Sequence, residues 1–333
     1  VTGQDRINVC APSRDSETPL RNRPPKFAFL IVIISTAFCL LGPSVCPPDA
    51  FGQTDGIRLE WIWNSTPVNM TTSVALGDVD LDGDLDLVCG NGNGPNTLYE
   101  NIGGTLSQVP IWSSPMTNRT YGVALGDVDG DGDLDLVCGN VGDNCTIYEN
   151  IKGTFTESPG MWLSPPHLTY GVALADLDGN GDLDAICGNI GEGAQGGSNT
   201  VYANFDGVLS VLAWGSPADD TRGVAIGDID GDGDLDLVFS NDGERDVAYE
   251  NTGGTLIPTF SPTPMWISDG WSQTPGVALG DVDGDGTLDL VCAKVEQSNI
   301  VYGNTGNAFT SSPVWSSDER NASYGVVVGD LNK

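Results

Sequence analysis

Val74-Ala-Leu-Gly-Asp-Val-Asp-Leu-Asp-Gly-Asp-Leu-Asp-Leu-Val-Cys-Gly90 decides the fold. Two short apolar runs flank a string of aspartates broken by one glycine. Each run is too short for a helix and has the β-branched and leucine content of a strand. The Asp/Gly string between them is a turn signal. The stretch therefore reads as a hairpin with an acidic loop. A second copy runs from Gly122 to Gly139, and acidic segments begin at Asp78, Asp127, Asp176, Asp228, Asp281 and Asp330, spaced 49, 49, 52, 53 and 49 residues apart.

Two further markers keep the same period. Tryptophans stand at 63, 112, 162, 214, 266 and 315. A Tyr-x-Asn segment recurs as Leu98–Asn101, Ile147–Asn150, Val201–Asn204, Ala248–Asn251 and Val301–Asn304. Three markers in one order exclude chance. Each unit reads as four short strands: Val-Ala-Leu, then Leu-Val-Cys, then the Tyr segment, then the Trp segment. No stretch sustains a helical period. Four strands per unit, repeated about every 50 residues, predict an all-β chain and a β-propeller of four-stranded blades. Five units are whole and a sixth is truncated, since Val326-Val-Val-Gly-Asp330-Leu-Asn-Lys333 matches only a first strand and the start of a loop. Ile57–Trp63 matches a fourth strand, the piece with which propellers commonly close. The expectation is thus a propeller over 51–333, incomplete at its C-terminal side.

The acidic loop has the form Asp-x-Asp-x-Asp-Gly-x-x-Asp. Its copies are Asp78, Asp80, Asp82, Asp84 and Asp86; Asp127, Asp129, Asp131, Asp133 and Asp135; Asp176, Asp178, Asn180, Asp182 and Asp184; Asp228, Asp230, Asp232, Asp234 and Asp236; and Asp281, Asp283, Asp285, Thr287 and Asp289. Carboxylates this dense repel one another unless a cation sits among them. Hard oxygen ligands at alternate positions suit Ca²⁺, with glycine at position six making the sharp turn. By analogy with the EF-hand loop, positions 1, 3, 5 and 9 supply side chains and position 7 a backbone carbonyl, which tolerates Thr287. A true EF-hand fails, because position 12 is Cys89, Cys138, Cys187, Phe239 or Cys292 instead of glutamate. About five Ca²⁺ sites follow, one per complete loop.

This hairpin closely resembles the FG-GAP/VCBS repeat family, the blade motif of integrin α-subunit propellers and of many secreted proteins. The resemblance covers about residues 57–333. It implies a propeller with calcium in the loop between the first and second strands of each blade, and it is unspecific for function.

Composition narrows the rest. The chain of 333 residues carries 13 Lys+Arg against 46 Asp+Glu, a formal charge of −33. No basic face for nucleic acid or an anionic membrane can be built from that. The five loops alone hold 23 of the acids, so the charge is largely metal ligand. One histidine, His167, makes His-based catalysis and multi-His zinc sites improbable, and it reads as a surface residue in a loop before a strand. Residues 1–50 form a separate leader. Arg21, Arg23 and Lys26 precede an apolar run over 27–41, which has the length of a secretory signal core, a short membrane anchor being the alternative. That places the chain outside the cell or on its surface, with the periplasm as the alternative, and leaves no stable membrane span in the mature part. Sequons at Asn64, Asn69, Asn118, Asn144 and Asn321 matter only if the source glycosylates secreted proteins.

Cys89, Cys138, Cys187 and Cys292 share one strand position with Phe239, which marks a buried apolar slot and thiols outside disulfides. Cys145 is the odd one, in a loop. The periodic tryptophans read as packing between blades. Trp61 and Trp271 stand outside the register and are better placed to stack on a ligand. The face opposite the acidic loops carries the variable loops and the residues leading into each first strand, among them Tyr121, Tyr170, Arg222 and Tyr324. Variable loops on a rigid scaffold are where binding sits. The expected function is a non-enzymatic, calcium-binding module for an extracellular protein or glycan. A propeller-based polysaccharide lyase or hydrolase is the alternative, though no nucleophile–base set is visible, and a purely structural surface protein is the third reading.

Overall fold

The computed structural model describes residues 8–12, 59–65, 69–158, 167–191 and 197–329. These residues form an all-β fold with no helix. The leader expected over 1–50, with its apolar core at 27–41, lies outside them apart from the short strand Asn8–Pro12, which pairs with Leu59–Asn64. Among the described residues no helix is long and apolar enough to cross a membrane.

Each repeat folds as an antiparallel meander. In unit 1 the order is Thr71–Gly77, Asp86–Asn91, Thr97–Tyr99, Trp112–Ser113. Unit 5 has the same order in Gly276–Gly280, Asp289–Ala293, Gln297–Tyr302, Trp315–Asn321. Unit 4 runs Thr221–Gly227, Asp236–Glu244, Val247–Tyr249, Trp266–Ile267, with the short Ser272–Gln273 also pairing on Asp236–Glu244. Units 2 and 3 share one sheet, because His167–Ala175 reaches back to pair with Asp135–Asp143 through His167 opposite Asp143. His167 is therefore the first residue of a strand and half-buried, where a surface loop was expected. Val326–Val328, expected to be a first strand, forms no ladder, since no second strand pairs with it among the described residues.

Alternation sets one face of each strand against the preceding unit and the other against the next: Leu136 and Cys138 face unit 1, and Val137 faces unit 3. A single repeat cannot bury both faces, so the core lies between units. One apolar cluster joins Val79, Val88, Leu98 and Trp112 of unit 1 to Leu136, Cys138, Tyr148 and Phe155 of unit 2. Others join units 2 and 3, 3 and 4, and 4 and 5 in the same way. The periodic tryptophan is the key part. Trp112 meets Tyr148 and Phe155 edge-on at 5.2 and 5.1 Å, and Trp266 meets Tyr302 and Phe309 at 4.8 and 5.3 Å. Trp214 meets Tyr249 of unit 4 edge-on and Phe260 at a tilt, and Trp63 packs edge-on on Tyr99 of unit 1. Such edge-on pairs add to the stabilisation from area burial. Trp315 breaks the expected pattern of buried tryptophans: it is 48% exposed, because no following Tyr/Phe pair covers it among the described residues. Trp162 lies outside the described residues.

First strands of successive units lie side by side. Small residues permit this. A Cβ on Gly77 would fall 2.8 Å from Leu134 and 2.9 Å from Leu125 of unit 2. Cys89, Cys138, Cys187 and Cys292 are buried, as their exchange with Phe239 implies, and none is in a disulfide. Burial pushes the Cys89 and Cys138 thiols up to about 12. Cys145, in the loop between Asp135–Asp143 and Thr146–Tyr148 as expected, is buried in this core beside Cys187.

A buried polar network also crosses the junctions of units 1 and 2, 2 and 3, and 4 and 5. Asn96 of unit 1 donates to Thr120 Oγ1 of unit 2, which donates to Asn140 Oδ1. Cys145, Thr169 and Asn189 hold these places at the next junction. Between units 4 and 5 the pattern changes to Asp246, Thr274 and Lys294. There Thr274 donates to Asp246 Oδ2, and Lys294 Nζ lies 3.6 Å from that same oxygen while donating to Ser272. Both charged side chains are almost fully buried.

Candidate metal centres and the opposite face

The acidic loops are built alike in all five units. Glycine at position six has φ between +95 and +100°, and its N–H donates to Oδ2 of the first aspartate. Gly83 to Asp78 and Gly132 to Asp127 are both 3.0 Å. The N–H of position five donates to Oδ1 of position three, and that of position seven to Oδ1 of position five. These short-range bonds curl the loop and leave the remaining carboxylate oxygens pointing inward. Position four is glycine at positive φ in four loops, and Leu81 at φ +61° in the first.

The ninth aspartate is the buried anchor. In loop 1, Asp86 Oδ2 accepts from Val79 N and Oδ1 from Asn101 N. Asp135, Asp184, Asp236 and Asp289 make the same two bonds in their loops. Burial, reinforced by neighbouring aspartates and opposed by these bonds, raises Asp86 and Asp135 and takes Asp184 and Asp236 to about 6. A site that disfavours its own carboxylate charge is one that a cation would relieve.

Carboxylate oxygens of Asp78, Asp80 and Asp86 lie within 4.8 Å of one another. The same holds for Asp127, Asp129 and Asp135, and for Asp176, Asp178 and Asp184. In loops 4 and 5 the gathered residues are Asp228, Asp230 and Asp232, and Asp281, Asp283 and Asp285. Asp78 Oδ1 and Asp178 Oδ2 are buried without a hydrogen-bond partner. Unpartnered buried oxygens among oxygen-only donors fit a hard cation. Position-seven side chains turn away: Asp84 Oδ2 accepts from Gly103 N, Asp133 Oδ2 from Lys152 N and Asp182 Oδ2 from Asp206 N. In these three loops one oxygen of the position-seven carboxylate is thus spent on a backbone N–H outside the loop, in keeping with the tolerance of Thr287 at this place.

One group was not assigned a role from sequence, although its period was visible: the asparagine of Tyr-x-Asn. Asn251 Nδ2 donates to Leu235 O in its own loop and to Leu177 O in the loop of the preceding unit, at 3.2 and 2.8 Å. Asn150, Asn204 and Asn304 bridge their loops in the same way. Among the described residues the Asn101 side chain makes only the bond within its own loop. The acidic loops are therefore tied into a row by side-chain amides.

On the opposite face, strand register shifts at one equivalent place in units 1 to 4. The skipped residue is Thr72, Tyr121, Tyr170 or Arg222. A bulge re-aims the side chain it leaves out of the ladder. Tyr121 and Tyr170 meet with ring centroids 4.5 Å apart, and the Arg222 guanidinium sits 4.9 Å over Tyr170 while pairing with Asp242. Arg119 lies 6.0 Å over Tyr121. Tyr324 is 39% exposed and is not part of this stack.

Solved structures of related shape include the V. cholerae biofilm matrix protein Bap1, at 18% identity over 76% of this chain and 40% of that one, with a TM-score of 0.49. A second is BBS1N in complex with ARL6DN, at 11% identity over 74% of this chain and 68% of that one, with a TM-score of 0.48. The chain thus spans well under half the length of the Bap1 structure. No curated protein matches the sequence. The FG-GAP-like repeat matches residues 78–138, 127–187, 228–292 and 281–333, each stretch opening on the first aspartate of an acidic loop. By these matches, which together cover more than half of its residues, the chain belongs to the FG-GAP-like repeat family.

Proposed function

We propose that the chain is a calcium-binding β-propeller of four-stranded blades that works as a secreted or cell-surface binding module for an extracellular protein or glycan. The observation that carries this reading is the fivefold recurrence of one loop geometry with converging carboxylates. Chance acidity would not reproduce the same bonds at each copy. In each loop, positions 1, 3, 5 and 9 hold Ca²⁺ with their side chains, and position 7 with its carbonyl. The metal neutralises the carboxylates and fixes the hairpin between the first two strands. Extracellular modules of this kind bind at about 10⁻⁴–10⁻³ M, which suits a millimolar calcium environment.

The opposite face binds the partner. Tyr121, Tyr170 and Arg222 are aromatic and guanidinium groups of the kind that anchor interfaces, and Tyr324 stands on the same side of its unit. Export by the N-terminal segment follows from the same reading.

Chelation tests the metal. Saturating Ca²⁺ at a hundredfold excess over Kd contributes about 2.7 kcal/mol per site. Several filled sites raise Tm by about 10 °C or more over the chelated protein. Titration calorimetry should count about five ions. An unchanged Tm across saturating chelator would overturn the assignment. For the opposite face, the triple variant Y121A/Y170A/R222A loses partner capture on a glycan and protein array while keeping its calcium shift; unchanged capture sinks the surface.

A further inference from the structure

A cleft of about 250 Å³ opens between units 4 and 5, on the face away from the acidic loops. Its walls come from the loop 268–271 after Trp266–Ile267 and from the strands Gln297–Tyr302 and Trp315–Asn321. Trp271 stands at this cleft with 71% of its surface exposed. It is not the periodic tryptophan: Trp266 fills that role and is buried against Tyr302 and Phe309. An indole this exposed has little packing duty in the fold, and tryptophan is enriched where an apolar body meets a wet contact surface.

The polar groups around it are placed by the fold. Tyr302 OH donates to Asp269 Oδ1 at 3.1 Å, which holds that carboxylate at the wall. Lys294 Nζ is fixed beneath by Ser272 and Asp246. Arg320 is exposed and makes no ion pair among the described residues, and Gln297 is exposed as well. In a chain of 13 Lys+Arg and charge −33, two cations in one cleft make a locally balanced patch.

We infer that this cleft is a saccharide-binding subsite, in which a pyranose ring lies on Trp271 and its hydroxyls are held by Asp269, Gln297 and Arg320. The inference deepens the binding-module reading and rests on it. An indole face offers a flat apolar platform to the C–H face of a sugar. A carboxylate, an amide and a guanidinium supply acceptors and donors for paired hydroxyls. A peptide would need apolar pockets, and here Ile300 is the sole aliphatic wall. A nucleotide would need more positive charge than Arg320 and a neutralised Lys294 provide.

The test uses the full chain saturated with Ca²⁺, titrated with cellotetraose, chitotetraose and tetragalacturonate, and followed by tryptophan fluorescence and calorimetry. At least one sugar binds saturably, and Trp271→Ala weakens it roughly tenfold or more, the size of a lost stacking platform. Arg320→Gln weakens tetragalacturonate more than the neutral sugars. Each variant keeps the wild-type Tm and calcium uptake, which separates a lost contact from a lost fold. Binding of none of the three sugars, or equal affinity in Trp271→Ala, overturns the subsite while an intact calcium shift leaves the metal reading standing. A missing calcium shift with sugar binding retained would do the reverse.

Discussion

Replacing Asn251 by alanine tests how the acidic loops are held together. The Asn251 side chain is fully buried and makes three bonds: to Leu177 O, to Leu235 O, and as acceptor from Gly253 N. Alanine leaves two carbonyls and one N–H without that partner. Each buried group left unpaired costs about 1–3 kcal/mol. Water entering from the loop side offsets part of this, so the expected loss is about 3–5 kcal/mol. Asn101→Ala is the matched control, since Asn101 is partly exposed and bonds only Leu85 O in its own loop. Its loss should be about 1 kcal/mol. The difference between the two variants measures the bond that crosses from unit 4 to unit 3 together with the Gly253 bond that Asn101 lacks. Urea unfolding midpoints in chelated protein give both values without any contribution from metal. Calcium titration of Asn251→Ala should then show weakened binding at two loops, because Leu177 and Leu235 belong to different ones. Equal destabilisation by the two variants, within about 0.5 kcal/mol, would refute the bridging role.

Three further outcomes follow from the loops and junctions. In calcium-free protein the raised carboxyls of Asp184 and Asp236, at about 6, take up protons in the folded state well above the unfolded value of about 3.9. Stability of the stripped protein therefore rises as pH falls from 7 towards 5, whereas the calcium-loaded protein loses stability over the same window; urea midpoints at both pH values with and without Ca²⁺ check the change of sign. Leu81→Gly removes a left-handed, exposed leucine at the place where the other loops have glycine, and should stabilise the fold by about 0.5–1 kcal/mol, visible as a higher Tm; a lower Tm would sink the strain argument. Lys294→Met strands the buried Asp246 carboxylate and should cost about 3–5 kcal/mol, while D246N/K294N, which restores the amides found at other junctions, should cost about 1 kcal/mol or less; a double variant as unstable as the single one contradicts this.

Much of this was legible because repetition makes weak local signals strong. One Asp-x-Asp-x-Asp-Gly string is ambiguous, but five at a constant period, each between two apolar runs, place both the hairpins and the candidate ligands. The tryptophans were readable as packing groups for the same reason, and Trp315 departs because no Tyr/Phe pair covers it among the described residues. What the sequence could not show was contact across units. The Asn251 amide reaches a carbonyl 74 residues away, and no local pattern encodes that distance. Likewise the register shift at Tyr121 and Tyr170 depends on pairing with the second strand, not on composition. Cys145 is the loop residue the sequence indicated, but its burial was not legible, because it comes from Cys187 and Thr169 of the following unit.

The Asp246–Lys294 pair has a consequence for the history of the array. Where junctions are made of neutral side chains, asparagine, threonine or cysteine, a copy can be duplicated or lost without stranding a charge. The fourth and fifth repeats are not interchangeable with the others. Unequal crossing-over that inserted a repeat between them would set a buried carboxylate against an amide and a buried ammonium against another. That junction marks a fixed point in the order of units, and the Trp271 loop lies beside it.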